Sequence, residues 1–215
     1  MITIITTTYY PDSKLGRERA DVAGQAIESW FNHLKYDGEF RLHIADDGSG
    51  IAFEIGGGYN KMVSRQHRKG VGASLNTGFK SAFTHSPLAL YIVDDWILQK
   101  DLDLNPWAAL LTKNESLGIV RLGPPHPGLT GEVIKYEQGW ALSLDKHDYA
   151  YAMRPSMYHK RFFDAYGWFS EQINCWECER IFNEHVCATN GPGIVYALPD
   201  SWYHKDTLPL GTMEP

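Results

Sequence analysis

Neighbouring aspartates stand at two places where a run of apolar residues ends. Asp46 and Asp47 end one such run, and Asp94 and Asp95 end another. The first run of the chain ends at Thr8. If the three runs are parallel strands of one sheet, the loops at their carboxyl ends open onto a single crevice, where ligands bind in such sheets.

Two acidic pairs at one sheet edge repel each other unless positive charge lies near them. A divalent cation is the simplest source of that charge. Mg²⁺ and Mn²⁺ prefer oxygen ligands, and commonly one or two carboxylates act together with substrate phosphates. The opposing interpretation is that these aspartates are only turn residues. Two such strand ends in one predicted sheet favour a metal site that receives a nucleoside diphosphate.

Two other clusters have more than one interpretation. The basic cluster at 65–69 suits a diphosphate or an anionic acceptor, and it equally suits a solvated loop. Cys175 and Cys178 form a Cys-x-x-Cys pair that, with His185 and Cys187, resembles a zinc site or a redox pair. The irregular second spacing, and the lack of a preceding thioredoxin-like unit, favour buried thiols on a helix instead.

The elements that position these residues alternate between strands and helices. Residues 2–8 are β-branched almost throughout, which is typical of a strand buried on both faces. Apolar residues at helical spacing predict a helix over 17–35, and a strand follows at 40–45. This βαβ order implies a parallel pair. The pattern next predicts a helix over 71–83, a strand over 88–93, a helix at 107–112 and a strand at 117–122.

The second half has a different pattern. Residues 132–154 are predicted to form antiparallel strands with polar turns. Helices are predicted over 159–166 and 176–187, and a last strand over 194–198. We therefore expect one α/β domain of 215 residues, with a Rossmann-like, mostly parallel sheet flanked by helices and a smaller antiparallel portion.

Composition excludes several classes of function. A formal net charge of -6 disfavours a nucleic-acid duplex as partner. No apolar run approaches the roughly 20 residues of a membrane-spanning helix, and the start of the chain lacks the basic region of a signal peptide. The 3 cysteines do not indicate a secreted disulfide framework, so cytoplasmic residence is expected. The aromatic content of 13% suits a pocket that grips sugar or base rings.

Four segments, in order, resemble family 2 glycosyltransferases of the GT-A fold. They match that family's first loop, Asp-Asp-Gly-Ser turn, helix start and acidic metal motif, at residues 4–9, 45–49, 73–78 and 91–96. The resemblance covers roughly the first 100 residues well and the rest loosely. It implies a GT-A domain over 1–215, with a nucleotide-sugar-binding half at 1–122 and an acceptor-binding half at 123–215.

The resemblance also implies a set of nucleotide-binding residues. Tyr9 would stack on the nucleobase, and Asp46 would accept a hydrogen bond from it, with Asp47 beside it. The full set is Thr8, Tyr9, Asp46, Asp47, Arg68, Asn76 and Asp94.

The metal ligands follow from the same resemblance. Asp95 would bind Mn²⁺ or Mg²⁺, Asp94 would touch the ribose or the metal, and His204 would complete the site. The first acid of the family's metal motif falls at Val93 or Asp94, depending on the register.

The catalytic base is expected from a later segment. Residues 167–171 and 176–180 resemble the family's region that carries this base. Glu177 is the first candidate and Glu179 the second, while Cys178 stands where the family has its second acid. A solvated helix face is the alternative interpretation of both glutamates.

The predicted function is metal-dependent transfer of a sugar from a nucleoside-diphosphate sugar, UDP-linked by preference, to a glycan or other hydroxyl acceptor. A carboxylate base that takes the acceptor proton would give inversion in one displacement. A sugar-nucleotide nucleotidyltransferase is disfavoured because the loop at 9–14 is not glycine-rich. A non-catalytic binding protein on a degenerate transferase scaffold remains open because of Val93 and Cys178.

Overall fold

The computed structural model describes residues 1–51, 60–123, 131–136, 139–144, 151–197 and 202–204. Through residue 123 its elements are β1 (Ile2–Thr8), α1 (Lys14–His33), β2 (Leu34–Lys35), β3 (Phe40–Asp46), β4 (Lys61–Arg65), α2 (Val71–Ala82), β5 (Leu88–Tyr91), β6 (Trp96–Leu98), β7 (Leu102–Asp103), α3 (Asn105–Lys113) and β8 (Leu117–Arg121).

The later part of the chain adds a hairpin, two helices and three further strands. These elements are β9 (Gly131–Tyr136), β10 (Gly139–Leu144), β11 (Ser156–His159), α4 (Arg161–Tyr166), α5 (Cys175–Ala188), β12 (Gly193–Ala197) and β13 (Trp202–His204).

A nine-stranded sheet in the order β4-β3-β1-β5-β11-β8-β12-β10-β9 forms the centre of the fold. Strands β4, β3, β1 and β5 are mutually parallel, as are β8 and β12. Strand β11 is antiparallel to both its neighbours, and β10 is antiparallel to β12 and β9. The predicted α/β fold, with a mostly parallel sheet and a smaller antiparallel portion in the second half, is confirmed.

Helices cover both faces of this sheet because the central strands are apolar on both sides. In β1, Ile4 packs into the core formed with α1 and α3, whereas the next residue, Ile5, packs into the core formed with α2, α4 and α5. This alternation is the two-residue period of a strand. Among the helices described, none is both long and apolar enough to cross a bilayer.

The structure departs from the sequence expectations at several strands, among them the two- and three-residue strands β2, β6 and β7, which were not predicted. Strand β4 was not predicted, because alternate residues of Lys61–Arg65 are exposed and the two at its ends are charged, as befits a sheet edge. Strand β11 has only four residues and lies between β5 and β8, so a strand of the second half is inserted into the sheet of the first. The predicted last strand is followed by β13, which pairs with β6. Residues 145–150 of the predicted antiparallel stretch lie outside the described residues.

Candidate functional site

Strands β1, β3 and β5 end side by side, and Tyr10 connects the loops that follow them. Thr8 is in register with Asp46 at the ends of β1 and β3. The Tyr10 backbone N–H donates to Ser49 Oγ at 2.9 Å, and the Tyr10 hydroxyl donates to Asp94 Oδ2 at 2.6 Å. The two acidic strand ends therefore converge at one edge of the sheet.

Asp46 is buried and has several hydrogen-bond partners. Its carboxylate accepts from Thr8 Oγ1 at 3.1 Å, from the Ser49 backbone N–H at 3.1 Å and from Arg65 Nε at 2.9 Å. The Ser49 hydroxyl donates to it as well. Gly48 makes this turn possible, because its φ is 89° and a Cβ there would lie 2.9 Å from the Gln66 carbonyl oxygen.

Asp47 fixes the chain just before α2. One of its carboxylate oxygens accepts from the Lys69 backbone N–H at 2.7 Å, and the other accepts from the Gly70 backbone N–H at 3.0 Å. Its own backbone N–H donates to the Thr8 carbonyl at 2.9 Å. The loop after β3 is thereby tied both to β1 and to the start of α2.

A cleft of about 800 Å³ opens beside these loops. Across it, the Arg68 guanidinium lies 5.2 Å from the centroid of the Tyr9 ring and donates to the Tyr9 hydroxyl. Two non-glycine residues of the lining, Arg68 and Gln172, have positive φ values of 45° and 64°, and such strained backbone tends to cluster at ligand sites. The lining residues are Tyr9, Asp47, His67, Arg68, Lys69, Gly70, Gln172 and Ile173.

Asp94 is 7% exposed, and its surroundings disfavour its charged form. Burial raises the pKa of this carboxyl to about 6; the hydrogen bond from Tyr10 opposes the rise, and the negative charge of Asp95 adds to it. Arg19 of α1 also opposes the rise, so the positive charge of this helix acts on the acidic pair. Burial, followed by the charge of Asp94, likewise raises the pKa of Tyr10.

The Asp94-Asp95 pair has the donor chemistry of a site for a hard cation. Both side chains offer carboxylate oxygens, and a positive charge would stabilise the ionised form of Asp94, which burial and, to a lesser extent, the charge of Asp95 disfavour. The pairing of β13 with β6 sets His204 opposite Trp96, the residue after Asp95, although the side chain of His204 lies outside the description. Among the described residues no three His, Cys, Asp or Glu side chains gather at one point, so substrate oxygens would have to complete such a site.

The two candidate bases lie on different faces of α5. Glu177 is in the first turn, where its backbone N–H donates to Asn174 Oδ1 at 2.8 Å. Glu179 turns inward, and its Oε2 accepts from the Met153 backbone N–H at 2.6 Å. Glu177 is two residues, or about 200° of helix rotation, away from Glu179. The glutamates therefore cannot both face the acidic pair.

Cys175 indicates which of these faces is nearer the crevice. Cys175 and Glu179 are four residues apart on α5 and so share a face. Desolvation raises the pKa of the Cys175 thiol to about 11; Glu179 and Asp94 add to the rise, and Arg19 opposes it. The Cys175 thiol, on the face that carries Glu179, is therefore within electrostatic reach of Asp94.

Asn76 binds protein groups rather than facing the cleft. It is 3% exposed, and its Nδ2 donates to the Phe169 carbonyl at 3.0 Å and to Glu171 Oε1 at 2.9 Å. Its Oδ1 accepts from the Phe169 backbone N–H at 3.0 Å. Of the predicted nucleotide-binding residues, Tyr9, Asp47 and Arg68 line the cleft.

The cysteine pair does not form a zinc cluster. Cys175 and Cys178 lie in the first turn of α5, whereas His185 and Cys187 lie near its other end. No such cluster of metal-binding side chains occurs among the described residues, which include all four. Cys178 is buried against the Ser170 carbonyl, as expected for a structural thiol.

Two residues of the site escape sequence analysis. Neither Tyr10 nor Arg19 belongs to a motif that marks it in the sequence. Tyr10 follows Tyr9, to which the family resemblance assigns the role, and Arg19 is one of several charged residues in a helix. The signal that exposes both is spatial, because each acts on the charge of Asp94.

Comparison with known proteins identifies the fold. No protein-family model and no curated protein sequence matches this chain. A crystal structure of S. aureus TarS matches 94% of this chain with a TM-score of 0.65 and 16% identity, and the match spans 36% of TarS. The structure of TarS 1–349 in complex with UDP-GlcNAc matches 95% of this chain, with a TM-score of 0.60 and 15% identity, over 60% of that fragment. The complex of the same fragment with UDP has a TM-score of 0.60 and 16% identity, and covers 92% of this chain and 60% of the fragment. The chain thus shares the fold of TarS and spans less than two thirds of these neighbours.

Proposed function

We propose that this chain is a glycosyltransferase of the family 2, GT-A type, which moves a sugar from a UDP-linked donor to an acceptor hydroxyl with the help of Mn²⁺ or Mg²⁺. The observation that supports this most strongly is the convergence of the loops after β1, β3 and β5, which are joined through Tyr10. The fold adds support, since TarS, which shares it, has been crystallised with UDP-GlcNAc and with UDP.

The cleft is the proposed site of the nucleotide. Tyr9 offers an aromatic face, and Arg68 beside it offers a planar cation, so that a nucleobase would lie on Tyr9 and the guanidinium would pair with phosphate or ribose oxygens. Asp46, held by Thr8 and Ser49 and not itself among the residues that line the cleft, is the proposed acceptor of a hydrogen bond from the base. Because their partners already fix these side chains, little order has to be gained on binding.

Asp95 and Asp94 are the proposed holders of the cation, with His204 as a third ligand. When bound, the ion neutralises charge that develops on the leaving diphosphate. Arg19, whose charge acts on Asp94, would supply a second positive charge and so help to offset the negative charge of the leaving group.

Glu179 fits the role of base better than Glu177. It shares a face of α5 with Cys175, whose thiol is within electrostatic reach of Asp94, and its Oε2 is oriented by the Met153 backbone N–H. The carboxylate would take the proton of the acceptor hydroxyl as that oxygen attacks the anomeric carbon and the diphosphate leaves. Glu177, whose backbone N–H is capped by Asn174, is then an acidic residue of the first helical turn, where negative charge is favourable.

Hydrolysis of a panel of nucleotide sugars tests the proposal. The native chain, Asp95→Asn and the surface control Asp21→Asn are assayed with Mn²⁺ and with EDTA. We expect Mn²⁺-dependent hydrolysis of at least one UDP-sugar by the native chain and by Asp21→Asn, and its loss in Asp95→Asn. If the native chain binds UDP but turns over no donor, the chain is instead a non-catalytic binding protein, the alternative that Val93 and Cys178 leave open.

A further inference from the structure

The segment 169–174 leads into α5 and is fastened to α2 by one buried side chain. Asn76 makes two hydrogen bonds of 3.0 Å to the backbone of Phe169, one through each end of its amide. Its second N–H reaches Glu171 Oε1 at 2.9 Å. Both N–H groups of Asn76 are therefore used by this segment.

Glycines let α2 approach the same segment closely. A Cβ at Gly72 would lie 1.9 Å from the Ser170 carbonyl oxygen, and one at Gly70 would lie 2.9 Å from the Ile173 carbonyl oxygen. Gly70 also has a φ of 86°, which other residues adopt only with strain. The contact between α2 and the segment is therefore backbone against backbone and leaves little freedom of movement.

The residues just before α2 are bound from both sides. The Lys69 carbonyl accepts from the Gln172 backbone N–H at 2.8 Å. On the other side, the Lys69 and Gly70 backbone N–H groups donate to Asp47 at 2.7 and 3.0 Å. A continuous series of hydrogen bonds thus runs from Asp47, in the loop after β3, through Lys69 and Gly70, to the segment that leads into α5.

We propose that Asn76 is a positioning residue, which holds the segment 169–174. It thereby sets the position of Glu179 relative to the loops that follow β1, β3 and β5. The inference rests on the proposed function, since it assumes that α5 carries the base. It replaces the sequence-based expectation that Asn76 lies along the nucleotide, because a 3% exposed amide with both N–H groups bonded has no donor to offer a ligand. A shift of about 1 Å in a reacting group lowers a rate by on the order of a hundredfold.

The test compares Asn76→Ala with two control variants. Glu171→Gln keeps an acceptor oxygen for the Asn76 amide and should behave like the native chain. Ile119→Val removes one methyl group from the buried core around α4 and α5, and it reports what a mild loss of stability does by itself. Three quantities are measured for each: the Kd for UDP with Mn²⁺ by calorimetry, kcat for donor hydrolysis, and amide hydrogen exchange in 169–179 and in 1–12.

In Asn76→Ala we expect kcat to fall on the order of a hundredfold while the Kd for UDP changes by less than about threefold. Exchange should accelerate in 169–179 and not in 1–12. A rise in Kd with an unchanged kcat would indicate that Asn76 contacts the nucleotide, and it would overturn the proposal. An unchanged kcat together with an unchanged Kd would overturn it as well. If the native chain turns over no donor, the proposed function fails separately; exchange in 169–179 still decides the positioning role, and no acceleration there would refute it.

Discussion

Replacing Asp94 by asparagine should make the metal-free protein more stable at neutral pH. Asp94 is 7% exposed, and burial raises the pKa of its carboxyl to about 6 from the ordinary 3.8. Asparagine has nearly the same shape, and its Oδ1 can still accept from the Tyr10 hydroxyl. The substitution therefore removes the buried charge while it keeps the hydrogen bond.

The sign and size of the effect follow from proton linkage. As pH rises through 3.8, the unfolded chain releases the Asp94 proton, while the folded chain keeps it until about pH 6. Folded protein then binds more protons, so its stability falls across this window and stays lower above it. At 1.36 kcal/mol for each tenfold change in the proton equilibrium, the full loss is about 3 kcal/mol, roughly half of it between pH 5 and 8.

Chemical denaturation in EDTA measures this loss for the native chain, Asp94→Asn and the surface control Asp21→Asn. The free energy of unfolding of Asp94→Asn, relative to that of the native chain, should increase as pH rises from 5 to 8. The same difference for Asp21→Asn should not change with pH. A difference between Asp94→Asn and the native chain that does not change with pH would show that Asp94 is not a destabilised buried acid. The electrostatic argument for a cation beside Asp95 would then be refuted.

Three further substitutions probe other parts of the account. Arg68→Ala should raise the Kd for UDP about tenfold, because it removes a cation worth on the order of 1–2 kcal/mol beside an aromatic ring; Lys80→Ala, which removes a cation that lies over the ring of Trp168, should leave Kd unchanged. Gly72→Ala should lower stability by about 1–3 kcal/mol, seen as a lower Tm, because its Cβ would meet a backbone oxygen at 1.9 Å; an unchanged Tm would mean that α2 and its neighbour separate easily. Glu179→Gln should reduce kcat by about 10²–10⁴-fold, and Glu177→Gln should have a small effect on kcat; the reverse order would return the base to Glu177.

The central strands could be predicted from the sequence because they are buried on both faces. Their β-branched, apolar runs can be identified in the sequence without knowing which strands they pair with. The bounds of β1 agree with those expected at 2–8. Strand β4 follows no apolar pattern, since its outer face is exposed, and the insertion of β11 between β5 and β8 depends on contacts between distant parts of the chain. Periodicity reports local burial, and it does not report which strand becomes whose neighbour.

The candidate site was foreseen in its acids but not in their connections. Strand ends place carboxylates at one edge by topology alone, which is why Asp46 and Asp94 could be assigned to one crevice. The roles of Tyr10 and Asn76 depend on hydrogen bonds that span 84 and 93 residues of sequence. The face of α5 that each glutamate occupies likewise depends on how that helix packs. Sequence spacing limits such contacts but does not choose among them.

A crystal structure of the chain with UDP and Mn²⁺ tests the central claim most directly. We predict that the uracil lies against Tyr9 and near Asp46, and that the diphosphate and its ion lie beside Asp95, between the loops that follow β1, β3 and β5. Density for UDP at another surface, or a diphosphate and ion remote from both acidic strand ends, would contradict the account.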